Sequence, residues 1–383
     1  MANNNKHTGP NVPALRFPEF SGEWERYRLD ECVTFLDEKR KPIKSSDRVS
    51  EKGLYPYYGA SGIIDRIDNF IFDDDLVLLS EDGANILDRN YRVAFIVRGK
   101  AWINNHAHVL KPNCHTDIVF LSESLERIDY APYNTGTTMP KLNQEVCRGI
   151  MLYMPTPTEQ AKIGSLLKLV NERIEAQSKI IEELMTLRSA LLEKVFQVSN
   201  PTLEVGAIAH QTSERNKLCR YSNVLSVSNR FGFINQSEQF EDRNVASDDV
   251  RNYKVVHRGD FAYNPARINV GSIAMLKSFE SGIVSPMYIC FQVDDTIVDP
   301  SFFELFLETK AFKDEMEIRL EGSVRRCLSF EALCEIHLPH PALLVQRSIS
   351  DKIGNMSSKI KLEDRILKAY IRQKEWLLRQ MFI

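Results

Sequence analysis

Two cysteines at C-x-x-C spacing are missing from this 383-residue sequence. Its seven cysteines, Cys32, Cys114, Cys147, Cys219, Cys290, Cys327 and Cys334, are odd in number and widely scattered. That argues against a disulfide framework or a thiolate zinc site and leaves reduced, mostly buried thiols. No apolar run reaches the roughly 18 residues a membrane span needs. The opening MANNNKHTGPNVP lacks the apolar region of a signal peptide, so a cytoplasmic protein with no membrane partner is expected. Charge of one sign is also lacking: 49 basic against 52 acidic residues leave a net −3. A non-specific nucleic-acid coat would be strongly basic. The balance still permits a basic face offset elsewhere. No P-loop is present. The 43% apolar and 26% charged residues are ordinary for a globular protein of two or three domains.

What the sequence does hold is a long heptad run, PTEQAKIGSLLKLVNERIEAQSKIIEELMTLRSALLEKVF, over 157–196. Ile163, Leu167, Val170, Ile174, Ile181, Leu184, Leu191 and Val195 recur at steps of three and four, the pattern of an apolar helix seam. A helix roughly 55–60 Å long needs a partner. The chain supplies one 186 positions later, where Phe196 is matched by Phe382. There Ile349, Ile353, Met356, Ile360, Leu367, Tyr370, Leu377 and Met381 occupy the same eight seats. Polar lapses recur too, Gln177 with Glu363 and Arg188 with Lys374, and these predict helix register. The offset extends upstream to Gly136 and Gly322, taking in Leu142 with Leu328, Asn143 with Ser329 and Gln160 with Gln346. This is an internal duplication.

The duplication divides the chain into a leader over 1–22, a globule over 23–156, a spacer helix over 157–198, a second globule over 199–342 and a last helix over 343–383. Short runs bounded by Gly, Asn and Asp predict strands at Phe70–Phe72, Leu76–Leu79, Tyr91–Val97, Ala107–Leu110, Ile118–Leu121 and Ile150–Tyr153. In the second globule they fall at Val224–Val227, Val255–Val256, Phe261–Tyr263, Ser272–Met275, Met287–Phe291 and Ile336–Leu338, with a helix at Pro300–Arg319. Thr158 is the expected cap of the spacer helix. The fold class is α+β: two mixed globules joined by two long helices pairing as an antiparallel coiled coil, a pseudo-two-fold repeat. Such symmetry suits a split DNA target, and globules that differ suit unequal halves. Leu166, Leu169, Ile180, Leu187 and Leu192, with Ile366, Ile371 and Leu378, widen the apolar stripe, either for packing on the globules or for docking other subunits.

Catalytic signals are weak. Asn264-Pro-Ala-Arg267 only echoes an amino-methyltransferase motif; it lacks the aromatic, and no glycine-rich cofactor loop precedes it. Asp73, Asp74, Asp75, Glu81 and Asp82 have no lysine placed to complete a nuclease set and read as a solvated turn. His106, His108, Cys114 and His115 match no tight zinc spacing. No catalytic or metal residues are assigned. Residues suited to base or phosphate contact do occur in loops. In the first globule they are Tyr57, Tyr58, Ser61, Arg89, Arg98, Asn104, Asn105, Thr137, Thr138 and Lys141, and in the second Arg230, Asn264, Arg267, Asn269, Arg325 and Arg326. The paired loops around Gly136 and Gly322 serve either phosphate contact or the joint between globule and helix.

The order of several stretches resembles the specificity subunits of type I restriction–modification enzymes. They are Leu15-Arg-Phe-Pro-Glu-Phe20 with Trp24, Tyr55-Pro-Tyr-Tyr-Gly-Ala-Ser-Gly-Ile-Ile64, Leu78-Leu-Ser-Glu-Asp-Gly83, Gly136-Thr-Thr-Met-Pro-Lys-Leu142, Gly322-Ser-Val-Arg-Arg-Cys-Leu328, Pro155-Thr-Pro-Thr-Glu-Gln160 and both helices. One departure is Leu343-Leu-Val-Gln346, which leaves the second helix start less clearly capped. The resemblance implies a non-catalytic subunit. Each globule would be a target-recognition domain for one half of a bipartite site in double-stranded DNA, and the helices a spacer rod. It also implies two methyltransferase subunits and motor/nuclease subunits as partners, which use S-adenosylmethionine, ATP and Mg²⁺, with no cofactor in this chain. The alternative is a coiled-coil scaffold with two protein-binding globules.

Overall fold

The computed structural model describes residues 11–44, 46, 53–197, 201–229, 231–236, 249–322 and 326–383. Two compact units divide the chain: Met1–Ser178 with Arg365–Ile383, and Lys179–Asp364. The division cuts both long helices, Pro157–Gln197 and Leu343–Met381, near their middles. Each unit therefore holds half of each helix.

Unit 1 is built on β1 (Glu25–Arg28), β2 (Val33–Phe35), β3 (Tyr55–Gly59), β4 (Gly62–Ile67), β5 (Phe72–Asp73), β6 (Leu76–Ser80), β7 (Ala94–Val97), β8 (Lys100–Ile103), β9 (Ala107–Pro112) and β10 (Met151–Met154). One sheet runs β2-β9-β6-β7 and another β4-β3-β8-β5, while β1 pairs with β10. The β3–β8 pair is parallel and every other pair antiparallel. All five residues of β6 are buried, the mark of a strand covered on both faces.

Unit 2 repeats the plan with β11 (Thr202–Glu204), β12 (Ala209–Thr212), β13 (Val224–Ser228), β14 (Gly232–Asn235), β15 (Lys254–His257), β16 (Phe261–Tyr263), β17 (Ile273–Met275), β18 (Ser281–Val284), β19 (Ile289–Val293) and β20 (His337–Pro339). Its sheets run β12-β19-β16-β17 and β14-β13-β18-β15, with β11 beside β20. Its parallel pair, β13–β18, falls at the matching place. Sequences that diverged almost completely keep one topology, and the α+β expectation holds.

The reason lies in how each globule grips the helices. In unit 1 the helix Ile118–Glu126 is capped by Asp117, and the Asp117 N–H donates to Gln160 Oε1 at 3.1 Å. Gln160 Nε2 donates to the Pro155 carbonyl at 2.9 Å. In unit 2, Asp299 caps Pro300–Glu308, its N–H donates to Gln346 Oε1 at 2.9 Å, and Gln346 Nε2 donates to the Pro341 carbonyl at 2.8 Å. Both glutamines are buried, so every bond lost leaves a desolvated polar group. The helix ends match as well. Phe382 stacks on Phe120 at 4.9 Å, and Phe196 on Phe302 at 4.8 Å. Asn143 caps the short helix Gln144–Arg148, and Ser329 caps Phe330–Cys334. The residues the duplication kept are the caps, staples and aromatic plugs of one joint made twice.

Within unit 1, Ile163 and Leu167 share a core with Met381 and Phe382, and Arg173 lies over the Tyr370 ring, so the two helix halves run antiparallel. Within unit 2, Leu192 and Phe196 share a core with Ile353, and Arg188 Nε donates to Ser357 Oγ at 2.8 Å. The seam residues Val170, Ile174, Ile181, Leu184 and Val195, with Ile349, Met356, Ile360, Leu367, Tyr370 and Leu377, are half-buried. Leu191 is a correction: it is exposed, and Leu192 takes its seat. A helix of 3.6 residues per turn drifts off a 3.5 repeat and shifts the buried position by one. Two of the polar lapses face the globules. Lys374 Nζ meets Glu123 at 3.0 Å and Arg188 meets Glu308 at 2.8 Å. Of the wider stripe, Leu166, Leu192 and Leu378 pack into the cores, while Leu169, Ile180, Leu187 and Ile371 stay exposed.

Further corrections concern local signals. Ile118–Leu121 is helix, because the Asp117 carboxylate accepts the Val119 and Phe120 N–H groups. The helix expected over Pro300–Arg319 breaks at Thr309, whose extended backbone ends one helix while its hydroxyl caps the next, Lys310–Arg319. Thr156, not Thr158, caps the central helix; its hydroxyl accepts from the Glu159 N–H at 3.4 Å. All seven cysteines are unpaired, but only Cys32, Cys147 and Cys290 are buried. Residues 11–22 of the leader lie on unit 1: Arg16 pairs with the buried Glu159 at 2.7 Å, and the Leu15 N–H donates to the Gln380 carbonyl. Among the described residues, no helix is long and apolar enough to cross a membrane.

Candidate nucleic-acid interface

Loops at one end of the strands converge in each unit, and hydrogen bonds between loops hold them together. In unit 1 the Ser80 hydroxyl donates to the Ala60 carbonyl at 2.6 Å, tying the β3–β4 turn to the end of β6. The Asn104 N–H donates to the Tyr58 carbonyl, the Glu81 N–H to the His106 carbonyl, and the Gly83 N–H to the Pro140 carbonyl. The Leu142 N–H donates to the Glu81 carbonyl at 2.7 Å. Unit 2 repeats that last bond, from the Leu328 N–H to the Pro265 carbonyl at 3.2 Å. Its other loops join through Ser272 Oγ donating to the Val227 carbonyl and Asn264 Nδ2 reaching Met287 Sδ at 3.5 Å.

A buried charge cluster underlies the unit 1 loops. His108 is fully buried, with Nδ1 on Asp37 at 2.7 Å and Nε2 on the Leu142 carbonyl at 2.8 Å. Both ring nitrogens face acceptors, so both carry hydrogen and the ring is an imidazolium. Burial is the largest single effect and opposes this charge, but the Asp37 carboxylate and Cys147 together outweigh it and raise the ring to about 10. Arg40 bridges Asp37 and Glu81, and Lys141 Nζ stands 3.3 Å from Glu81. In unit 2 the Tyr263 hydroxyl donates to the Leu328 carbonyl instead. The scaffold is the same, and a neutral phenol does the work of the histidine.

Ser61, Asn105, Thr137, Thr138 and Lys141 are exposed on these loops, and Tyr58 is half-buried beside them. Gly136 allows the loop to fold tightly, since a Cβ there would meet the Met139 carbonyl oxygen at 1.8 Å. Tyr57 is only 1% exposed and accepts the Ile43 N–H, so it supports the sheet rather than the surface. Asn104 is buried, its Oδ1 accepting the His106 N–H. Arg89 is turned to Glu126 and Tyr130. Arg98 pairs with Asp75 at the far end of β6, away from the loop cluster. In unit 2, Arg267 and Asn269 are exposed. Asn264 closes its own turn by accepting the Ala266 N–H, and Arg326 is paired with Glu317 at 2.8 Å. Arg230 and Arg325 lie outside the described residues. The sequence reading missed exposed Phe231, Val270 and Met287 on the same loops; their position next to turn residues was the only signal.

Among the described residues no cluster of three or more His, Cys, Asp or Glu could hold a metal ion. His106 instead meets Asp82 at 2.9 Å, and Cys114 is exposed.

The type I restriction modification DNA specificity domain matches residues 21–186. A Haemophilus influenzae protein that carries the name of a type I restriction enzyme specificity subunit is 35% identical over 145 residues, which is 38% of this chain and 36% of that relative. The match thus spans about a third of the curated relative. The solved S subunit of a type I restriction–modification system from M. genitalium has the same fold. It is superposed with a TM-score of 0.65 over 97% of this chain and 99% of that one, at 16% identity. The resemblance read from the residues holds for the first repeat: residues 21–186 match the type I restriction–modification DNA specificity domain, and unit 2 repeats the same frame.

Proposed function

We propose that this chain is the non-catalytic DNA-specificity subunit of a type I restriction–modification complex. Each unit reads one half of a bipartite, asymmetric site in double-stranded DNA. The two helices set the spacing and dock two methyltransferase subunits, to which motor/nuclease subunits add. S-adenosylmethionine, ATP and Mg²⁺ serve those partners. The observation that carries this reading is the repeated loop frame, joined by the same bond at Leu142 and at Leu328 but presenting different side chains. One frame with two surfaces fits two unequal half-sites. Exposed Leu169, Ile180, Met185 and Leu187 on the central helix support the docking role.

Mapping methyladenine across the genome with and without the gene tests the proposal. A lost two-part motif is expected, and swapping residues 24–140 for those of a relative should change one half of it only. If no two-part motif is lost, the proposal fails. A protein-binding scaffold would also keep its partners on a DNA column as salt rises, whereas phosphate contact is salt-sensitive.

A further inference from the structure

The loop face of unit 2 combines a cation unpaired among the described residues with large exposed apolar groups. Phe231 is 66%, Met287 62% and Val270 52% exposed. They lie on three loops that touch. A Cβ at Gly271 would lie 3.3 Å from Asn229 Cβ, which seats the Asn264–Gly271 loop against the β13–β14 turn bearing Phe231. The Asn264 amide contacts Met287 Sδ and so seats the β18–β19 loop. Arg267 lies on the middle loop, on a clamped backbone. Its N–H donates to the Asn264 carbonyl, and its own carbonyl accepts from Val270 and Ser272. Gly271, at φ +86, closes the loop where a side chain would be strained. No carboxylate or carbonyl among the described residues engages the Arg267 guanidinium.

We propose that Arg267 and Met287 determine base specificity in one half-site, Arg267 bonding the O6/N7 edge of a guanine and Met287 resting on the 5-methyl group of a nearby thymine. This rests on the DNA-reading proposal above and names what one unit reads. A large exposed apolar side chain beside an unneutralised cation calls for a surface that offers both acceptors and a small apolar group. The major-groove edge offers both: guanine presents paired acceptors, and thymine carries the groove's methyl group. Val270 and Phe231 then border that contact and exclude water. Asn264 acts as a positioning residue, since both ends of its amide are engaged within the loop. At the matching turns of unit 1 stand Ser61 and Asn105, so this pairing of a cation with a methionine belongs to unit 2.

The test uses the whole complex, purified with its methyltransferase subunits, and duplexes bearing its motif. Each thymine is replaced in turn by uracil, which removes only the methyl group. Wild type should methylate about fivefold more slowly at one or two uracils in the half that unit 2 reads. Met287→Ala should abolish that sensitivity. Arg267→Ala should relax one guanine in that half and leave the other half unchanged. Both side chains are exposed, so neither change threatens the fold, and the uracil series alters the DNA alone. Tolerance of uracil at every thymine overturns this inference alone, as does undiminished sensitivity in Met287→Ala or a relaxed guanine in the opposite half. Absence of any two-part motif overturns it together with the proposed function.

Discussion

Replacing Glu123 by alanine should destabilise unit 1 by about 3 kcal/mol. The carboxylate is 2% exposed and receives Arg92 Nη1 at 3.0 and 3.3 Å and Lys374 Nζ at 3.0 Å. Removing one member of a buried pair costs about 3–5 kcal/mol, because the other charge stays desolvated. Arg92 is over a third exposed and can rehydrate, which puts the loss at the lower end. Lys374 is nearly buried and cannot. All three tryptophans, Trp24, Trp102 and Trp376, fall in unit 1, so intrinsic fluorescence in urea follows that unit. At a slope of about 2 kcal/mol per molar urea, the midpoint should fall by about 1.5 M. Adding Lys374→Met should recover most of that, since the only charge left unpaired is Arg92, which water reaches. Burial pushes Glu123 up, but Arg92 and Lys374 hold it below its ordinary 4.5. Its stabilisation is therefore present above pH 4.5 and lost as pH falls through the lower folded value. A midpoint shift under about 0.3 M, or a double variant as weak as the single, would refute the reasoning.

Two further outcomes follow from the same geometry. His108, raised from 6.5 to about 10, stabilises unit 1 fully below pH 6.5 and loses that contribution as pH rises through 10. Fluorescence-monitored stability should drop over that window by at most about 5 kcal/mol, and by much less in His108→Gln; equal slopes in both would sink the assignment. Phe382→Ala and Phe196→Ala should each cost about 3–4 kcal/mol in separate units. Only Phe382→Ala should move the tryptophan transition, while Phe196→Ala should appear in far-ultraviolet circular dichroism. If Phe196→Ala shifts tryptophan fluorescence equally, the two cores are not independent.

The division of labour between sequence and fold is visible at particular residues. The 186-residue offset was legible because the joint between globule and helix depends on short-range chemistry. Caps such as Asn143 and Ser329, staples such as Gln160 and Gln346, and plugs such as Phe196 and Phe382 each need one residue type at one place. Strands with strong apolar runs, such as β6 and β16, were legible for the same reason. The β3–β4 hairpin escaped notice as strand, since Tyr55–Ile67 mixes Pro, Gly and Asp within its run. Local periodicity also misread Ile118–Leu121, where one capping carboxylate outweighed a β-rich composition.

The candidate interface divides along the same line. Loop residues suited to DNA could be named from their chemistry, but not sorted. Tyr57 and Asn104 turned inward, Arg98 and Arg326 found acids, and Arg267 stayed open, next to a methionine distant in sequence. Sequence by itself determined the repeat and the two helices, because each rests on neighbours a few positions apart. The tertiary structure alone decided that the diverged globules share one strand order and which side chains face outward. Those depend on pairings between segments far apart along the chain, such as the bond from Leu142 to Glu81 and its twin from Leu328 to Pro265.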